Sequence, residues 1–314
     1  HCLSSAASDV YKRQERKYDM MKTGYATTIG NFDGLHLGHA ALIAKIKTNA
    51  EKMNLKTKVI TFNPYPFEFF KLEKNRILSE FDKRELLANF KIDDVNTINF
   101  DDDFRNTSAK DFFSKYLLEE DVRYLIVGKD FRFGKDRSGD LELLRSLCDQ
   151  NKIILEVLED LKSNDIKISS TLIRELLNNG KFQEASKLLG RAYQISGKVI
   201  RGKSLGKRIA TPTANIDILN KKFCFTGVFL GKTKIGQSEY FCIINFGPKP
   251  TFDDLEQSLE AHILDYDGNI YDEALSIEFL CKIRDQIKFK SIEELKNQIN
   301  EDKIRAKELK KLYE

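Results

Sequence analysis

The change of texture at Gly190 constrains the fold more than any other feature of the sequence. Ahead of it, apolar runs of strand length alternate with segments of helical spacing. Behind it, short runs of alternating polarity follow one another between glycine-containing turns. The first pattern implies a parallel sheet with helices on its faces, and the second an antiparallel barrel or sandwich. A length of 314 residues leaves room for one compact domain of each kind.

Strands are expected at 25–29, 58–62, 124–127 and 153–158, with helical patterns at 39–54, 83–90, 109–118 and, as a pair, within 170–189. Pro64 and Pro66 end the second strand, because proline has no N–H to give to a ladder. Beyond Gly190, strands are expected at 194–200, 227–232, 240–245, 260–264 and 274–279. The stretch Ser291 to Leu312 reads as a charged amphipathic helix, with Ser291 as N-cap and Glu294 completing a capping box. Residues 1–20 are polar and aperiodic, and are expected to be disordered or extraneous. Two domains are expected, over 21–188 and 189–314.

A formal charge of +4, with acids and bases interspersed, gives little support to bulk nucleic-acid binding. No apolar run approaches the roughly 20 residues that span a bilayer, and no signal-peptide core is present, so a cytoplasmic protein is expected. The five cysteines are scattered without a CxxC pair, which suggests neither a disulfide framework nor a zinc knuckle.

The most informative stretch is Gly30-Asn31-Phe32-Asp33-Gly34-Leu35-His36-Leu37-Gly38-His39, between a strand and a helix. Glycines let the backbone turn tightly against a ligand, and amides at a helix start receive phosphate oxygens. His36 and His39, two of the four histidines, could both face that phosphate and stabilise developing charge. A glycine-rich turn is common between strand and helix, and paired histidines at this spacing also suit a metal. In the second half, Gly202, Lys203 and Gly206 lie in a glycine-rich basic loop suited to covering phosphates, although the order GxxxxGK[ST] is absent. Thr213 and Asn215, just after it, offer neutral oxygens to a magnesium ion.

The first loop resembles the HxGH signature of the nucleotidylyltransferase superfamily, in the form found in bacterial bifunctional riboflavin kinase/FAD synthetases. Three later segments are similar to that family in the same order: Thr61 to Pro66, Val127 to Gly134 with Arg137, Gly139 and Asp140, and Ile168 to Thr171 with Arg174. Pro212-Thr213-Ala214-Asn215 resembles the riboflavin kinase signature, and Asn245-Phe246-Gly247 with Pro250-Thr251-Phe252 its next block. The resemblance runs from about Lys22 to the end. It implies a Rossmann-like nucleotidylyltransferase domain with a parallel sheet, followed by an antiparallel β-barrel riboflavin kinase domain with a terminal helix.

The resemblance further implies that riboflavin and ATP give FMN, and that FMN and ATP give FAD and pyrophosphate, with Mg²⁺ as cofactor. Monomer or weak homo-oligomer, no membrane and no nucleic acid complete that expectation. His36 and His39 would contact ATP phosphates, helped by Gly30, Phe32, Asp33, Gly34 and Gly38, and by Ser169, Ser170, Thr171 and Arg174. Phe62, Asn63, Asp130, Phe131 and Phe133 would surround the flavin. In the kinase half, Gly202, Lys203, Gly206, Thr213 and Asn215 would hold ATP, with Thr213 and Asn215 on the metal. Glu260 would be the general base there and Arg284 would touch flavin. The chain departs from the family pattern at Tyr65, Ala210, Thr211 and Asp272. Two other readings are open: an adenylyltransferase for another precursor, which forms no FMN from riboflavin, and a flavin- or RNA-binding regulator, which consumes no ATP.

Overall fold

The computed structural model describes residues 24–72, 75–163, 165–201, 213–219, 222–249 and 254–314. The expectations for residues 1–20, for Gly202, Lys203, Gly206, Ala210, Thr211 and Pro212, and for Pro250 to Phe252 lie outside the described residues.

In chain order the first elements are β1 (Tyr25–Ile29), α1 (Leu37–Met53), β2 (Lys56–Phe62), α2 (Glu80–Asn89), β3 (Asp94–Ile98), α3 (Ala109–Phe113), β4 (Val122–Gly128), α4 (Leu141–Gln150) and β5 (Ile154–Leu158). A minor pair, β6 (Lys162–Ser163) and β7 (Ile166–Lys167), precedes α5 (Ser170–Asn178) and α6 (Phe182–Leu189). Then come β8 (Gln194–Ile200), β9 (Ala214–Ile216), β10 (Gly227–Ile235), β11 (Ser238–Lys249), β12 (Asp254–Ile263), β13 (Ala274–Arg284) and α7 (Ile292–Lys310).

Contacts divide the described residues into two compact units. One holds those up to Phe32, Gly38–Leu72 and Leu87–Leu161; the other holds Asp33–Leu37, Glu73–Leu86 and Lys162–Glu314. The first unit is built on a five-stranded sheet of order β3-β2-β1-β4-β5, parallel at every pairing. Ile29, Ile60, Leu125 and Val127 from its strands share one core with Phe112, Phe113, Leu144 and Cys148 from α3 and α4. Parallel strands need a crossover between them, which is why strand and helix alternate in this part of the sequence.

The second unit contains a closed barrel of order β10-β11-β12-β9-β8-β13 with antiparallel pairings. Its aromatic core joins Tyr193, Phe225, Phe229, Phe246 and Phe279 to Phe182 of α6, whose ring centroid lies 5.3 Å from that of Phe225 and 5.5 Å from that of Phe279. Closure removes the exposed edges that a sandwich of these strands would keep. On α7, Ala306 packs with Leu230 and Leu280 of the barrel.

The minor pair β6 and β7 and three further elements, β3, β9 and α4, escape the sequence patterns. Strand β3 alternates half-exposed and exposed until Ile98, so its apolar signature is faint. Strand β9 has only three residues, and α4 follows a hairpin in which Phe133 and Gly139 exchange both backbone hydrogen bonds. The expected helix 109–118 changes pitch, becoming a π turn over Ser114–Leu118. At the last helix Ser291 caps Glu294 N at 3.1 Å, but the Glu294 carboxylate accepts from Lys290 N rather than from the cap residue.

Gly134 has φ +71°, and a Cβ there would lie 2.5 Å from Ala109 Cα. Gly134→Ala is therefore expected to destabilise by at least about 1 kcal/mol, read as a lower urea midpoint with unchanged slope. An unshifted midpoint contradicts the packing described.

Candidate active sites

All five strands of the parallel sheet end on one edge, and the chain order reverses direction between β1 and β4, which is where open α/β sheets bind ligands. After β1, Gly30 N donates to Ile60 O at 3.0 Å and Asn31 O accepts from Thr61 Oγ1 at 3.2 Å, so the turn stays against the ends of β1 and β2. Phe32 is fully buried with φ +51°, and its ring centroid is 5.1 Å from that of His39 in the first turn of α1. Beta-carbon crowding makes such a backbone costly for a bulky residue, so the surroundings must enforce it.

At the end of β2, Phe62 packs against Phe100 and Phe104 at 6.1 and 5.5 Å, and Asn63 N donates to Ile98 O. Past the end of β4, Asp130 is exposed, and Phe131 stacks on the buried Phe133 at 5.7 Å with ring planes 16° apart. The edge therefore gathers Gly30, Phe32, Phe62, Asn63, Asp130, Phe131 and Phe133. Tyr65, a departure from the family pattern, is wholly buried and stacked on Phe67.

In the second unit the segment Asp33–Leu37 is held from several sides. The buried Asp33 carboxylate accepts from Ile77 N at 3.0 Å, from Leu78 N at 3.3 Å and from Arg174. Burial pushes its pKa up, opposed by Arg174 and the two amides. Arg174 also donates to Asn75 O at 2.8 Å, Ser170 Oγ donates to Asp33 O at 2.7 Å, and Ser169 caps α5 by accepting from Leu172 N. Thr171 is exposed. Gly34 carries φ +90°, and His36 is buried. Burial, with the charges of Arg191 and Arg174, pushes the His36 imidazole down to about 4, so it is neutral at pH 7.

Sequence patterns give no warning of Arg191, which donates to Gly34 O at 2.7 Å and to Leu35 O at 2.9 Å. Nor do they flag the amides of Ile77 and Leu78, because backbone donors leave no trace in residue type.

On the barrel, Glu260 of β12 lies directly opposite Asn215 of β9 on one side and Asn245 of β11 on the other. These three are half-exposed, while their neighbours Ala214, Ile216, Leu259, Ala261, Ile244 and Phe246 are buried, so the row sits on the outer face. Gln286 Nε2 donates to Asn245 Oδ1 at 3.1 Å. His262 shares the parity of Glu260, opposite Ile243, and Thr213 immediately precedes β9. Arg284 makes a bidentate pair with Asp302 of α7 at 2.8 and 2.7 Å, which fastens that helix to the barrel. Asp272 adopts φ +69°, a conformation that favours glycine, and pairs with Lys198 at 2.7 Å. Among the described residues no group of three or more His, Cys, Asp or Glu side chains is placed to hold a metal, and no helix is long and apolar enough to cross a membrane.

A parallel sheet with a glycine-rich turn at its switch point, followed by a closed barrel with a carboxylate set between two amides, defines a nucleotide-dependent transferase of two parts. The FAD synthetase family matches residues 19–172 and the riboflavin kinase family residues 189–310. A bifunctional riboflavin kinase/FMN adenylyltransferase of Haemophilus influenzae is 38% identical over 289 residues, covering 90% of this chain and 94% of its own. One from Buchnera aphidicola is 39% identical over 284 residues, covering 88% and 90%. A solved structure from Streptococcus pneumoniae, titled a macrolide-efflux protein, superposes with TM-score 0.73 at 28% identity, covering 92% of this chain and 96% of its own. The chain belongs to the bifunctional riboflavin kinase/FMN adenylyltransferase family.

His36 titrates near 6.5 when unfolded and about 4 when folded, so the unfolded chain takes up the proton first as pH falls. The stability it contributes is complete above its unfolded pKa and is lost as pH drops through the folded one. His36→Asn is expected to flatten the stability curve across that window by about 3 kcal/mol, measured by urea unfolding at successive pH values. A variant curve parallel to the parent's would show that His36 is not held neutral.

Proposed function

We propose that this chain carries out both reactions of its family, converting riboflavin and ATP to FMN and ADP, and FMN and ATP to FAD and pyrophosphate. We assign adenylyl transfer to residues 21–188 and the kinase reaction to residues 189–314, in a cytoplasmic protein acting as monomer or weak homo-oligomer. What carries the reading is one chain that pairs a sheet edge bearing Gly30, Asn63 and Phe131 with a barrel face on which Asn215 stands opposite Glu260.

In adenylyl transfer a phosphate oxygen of FMN attacks the α-phosphorus of ATP, and the bond to the β-phosphate breaks. The protein needs no covalent intermediate; it aligns the two anions and offsets charge as it develops. His36, being neutral, would donate a hydrogen bond to a phosphate oxygen, and His39 would serve the same triphosphate from the first turn of α1. Ser169 and Thr171 would add hydroxyls and the start of α5 its amides, with Ser170 and Arg174 keeping that helix on Asp33. Phe62, Phe131 and Phe133 would wall the isoalloxazine.

In the kinase reaction Glu260 would take the proton of the ribityl hydroxyl as that oxygen attacks the γ-phosphorus and ADP leaves. Thr213 and Asn215 would offer neutral oxygens to Mg²⁺, which when bound would neutralise triphosphate charge, and Asn215 stands opposite Glu260 in the ladder. Gly202, Lys203 and Gly206 would cover the phosphates, and Arg284 would border the flavin through the Asp302 pair.

Chromatographic product analysis with riboflavin, and separately with FMN, tests the assignment. His39→Ala is expected to abolish FAD formation while FMN formation continues; Glu260→Gln is expected to do the reverse. Equal loss of both activities in either variant would contradict two separate sites.

A further inference from the structure

The turn into His36 is strained, since Gly34 has φ +90° and the buried Leu35 has φ +40°. A leucine in that region is strained, and persists only where its surroundings over-determine it. The Arg191 guanidinium supplies that constraint. It donates to Gly34 O at 2.7 Å, to Leu35 O at 2.9 Å and to Leu189 O at 3.2 Å. Leu35 O belongs to the peptide unit whose nitrogen is that of His36, so one planar fork fixes both peptide planes that lead into the histidine. The arginine is itself anchored, with its N–H on Ser186 O at 3.2 Å and Gly190 before it in a left-handed cap of α6. A Cβ on Gly190 would lie 2.6 Å from Leu37 Cδ2, so the turn and this cap are in close apposition.

We propose that Arg191 is a positioning residue for FMN adenylylation, holding His36 in register through the backbone carbonyls of Gly34 and Leu35. The inference rests on the reading of His36 given above. It assigns to an arginine between the last helix before the barrel and the first barrel strand an effect on the adenylyl-transfer reaction alone. Arg191 touches none of Asn215, Glu260 or Asn245 in the described contacts, so riboflavin phosphorylation is expected to be indifferent to it.

The test uses the full chain carrying Arg191→Ala or Arg191→Lys, assayed with FMN and with riboflavin in the same preparation. A misplaced catalytic group costs about a hundredfold in rate, so Arg191→Ala is expected to lower kcat for FAD formation by that order, with KM for ATP and FMN changed far less. Riboflavin phosphorylation should stay at the parent rate, which also reports that the chain is folded. Removing the charge takes away one of the two cations that depress His36, so the acid limb of kcat should move upward in Arg191→Ala. Lysine keeps the charge but not the fork, so Arg191→Lys should fall between parent and alanine with its acid limb in place. Should Arg191→Ala fail to fold, the lysine variant decides by the same readouts. Parent kcat for FAD formation in both variants overturns the proposal, as does equal loss of the two activities. Parent protein that makes no FAD from FMN would instead remove the functional reading, and the proposal with it.

Discussion

The buried carboxyl group of Asp33 is the constraint on which the turn carrying His36 depends. A carboxyl group buried from water needs its oxygens taken up by donors, and here two amides and one guanidinium do so. Those donors sit on two different segments, Ile77 and Leu78 before α2 and Arg174 on α5. Meeting the demand of one carboxylate therefore brings those segments together around the turn. Tyr193, which donates to Ile77 O at 2.8 Å, and Asp82, which accepts from Ser196 N at 3.1 Å, tie the same region to the start of the barrel. The turn that carries His36 and the strand that opens the barrel are thus parts of one polar network.

Burial of that network sets the chemistry available to His36. A solvated imidazole would be partly cationic near neutral pH, whereas this one is neutral, so a hydrogen bond rather than a charge is what it can offer. Fixed dipoles and strained turns of this kind cost stability and give pre-organisation in return. The barrel uses another device. Its ladder registers three polar side chains on one face, and the positions of Asn215, Glu260 and Asn245 follow from strand pairing alone.

Much of the fold is legible in the sequence because it rests on periodicity. Strand β1 and strand β8 have the limits that the sequence leads one to expect, and the texture change at Gly190 separates the parallel sheet from the barrel. Strand β3 and strand β9 are not legible, since the one is half-exposed and polar and the other only three residues long. The site residues are legible by type and spacing only where their side chains are the signal. Which of them are buried, that Arg284 spends its fork on Asp302, and that Arg191 holds two carbonyls are consequences of tertiary contact, which no local pattern encodes.

The central claim is that riboflavin attacks the γ-phosphorus of one ATP and the FMN so formed attacks the α-phosphorus of another. It is tested most directly by supplying riboflavin with ATP labelled on either the γ- or the α-phosphorus and separating the flavins. The account predicts γ-label in both FMN and FAD, and α-label in FAD only. Label from the α-position in FMN, or unlabelled FMN and FAD with both forms of ATP, would contradict it.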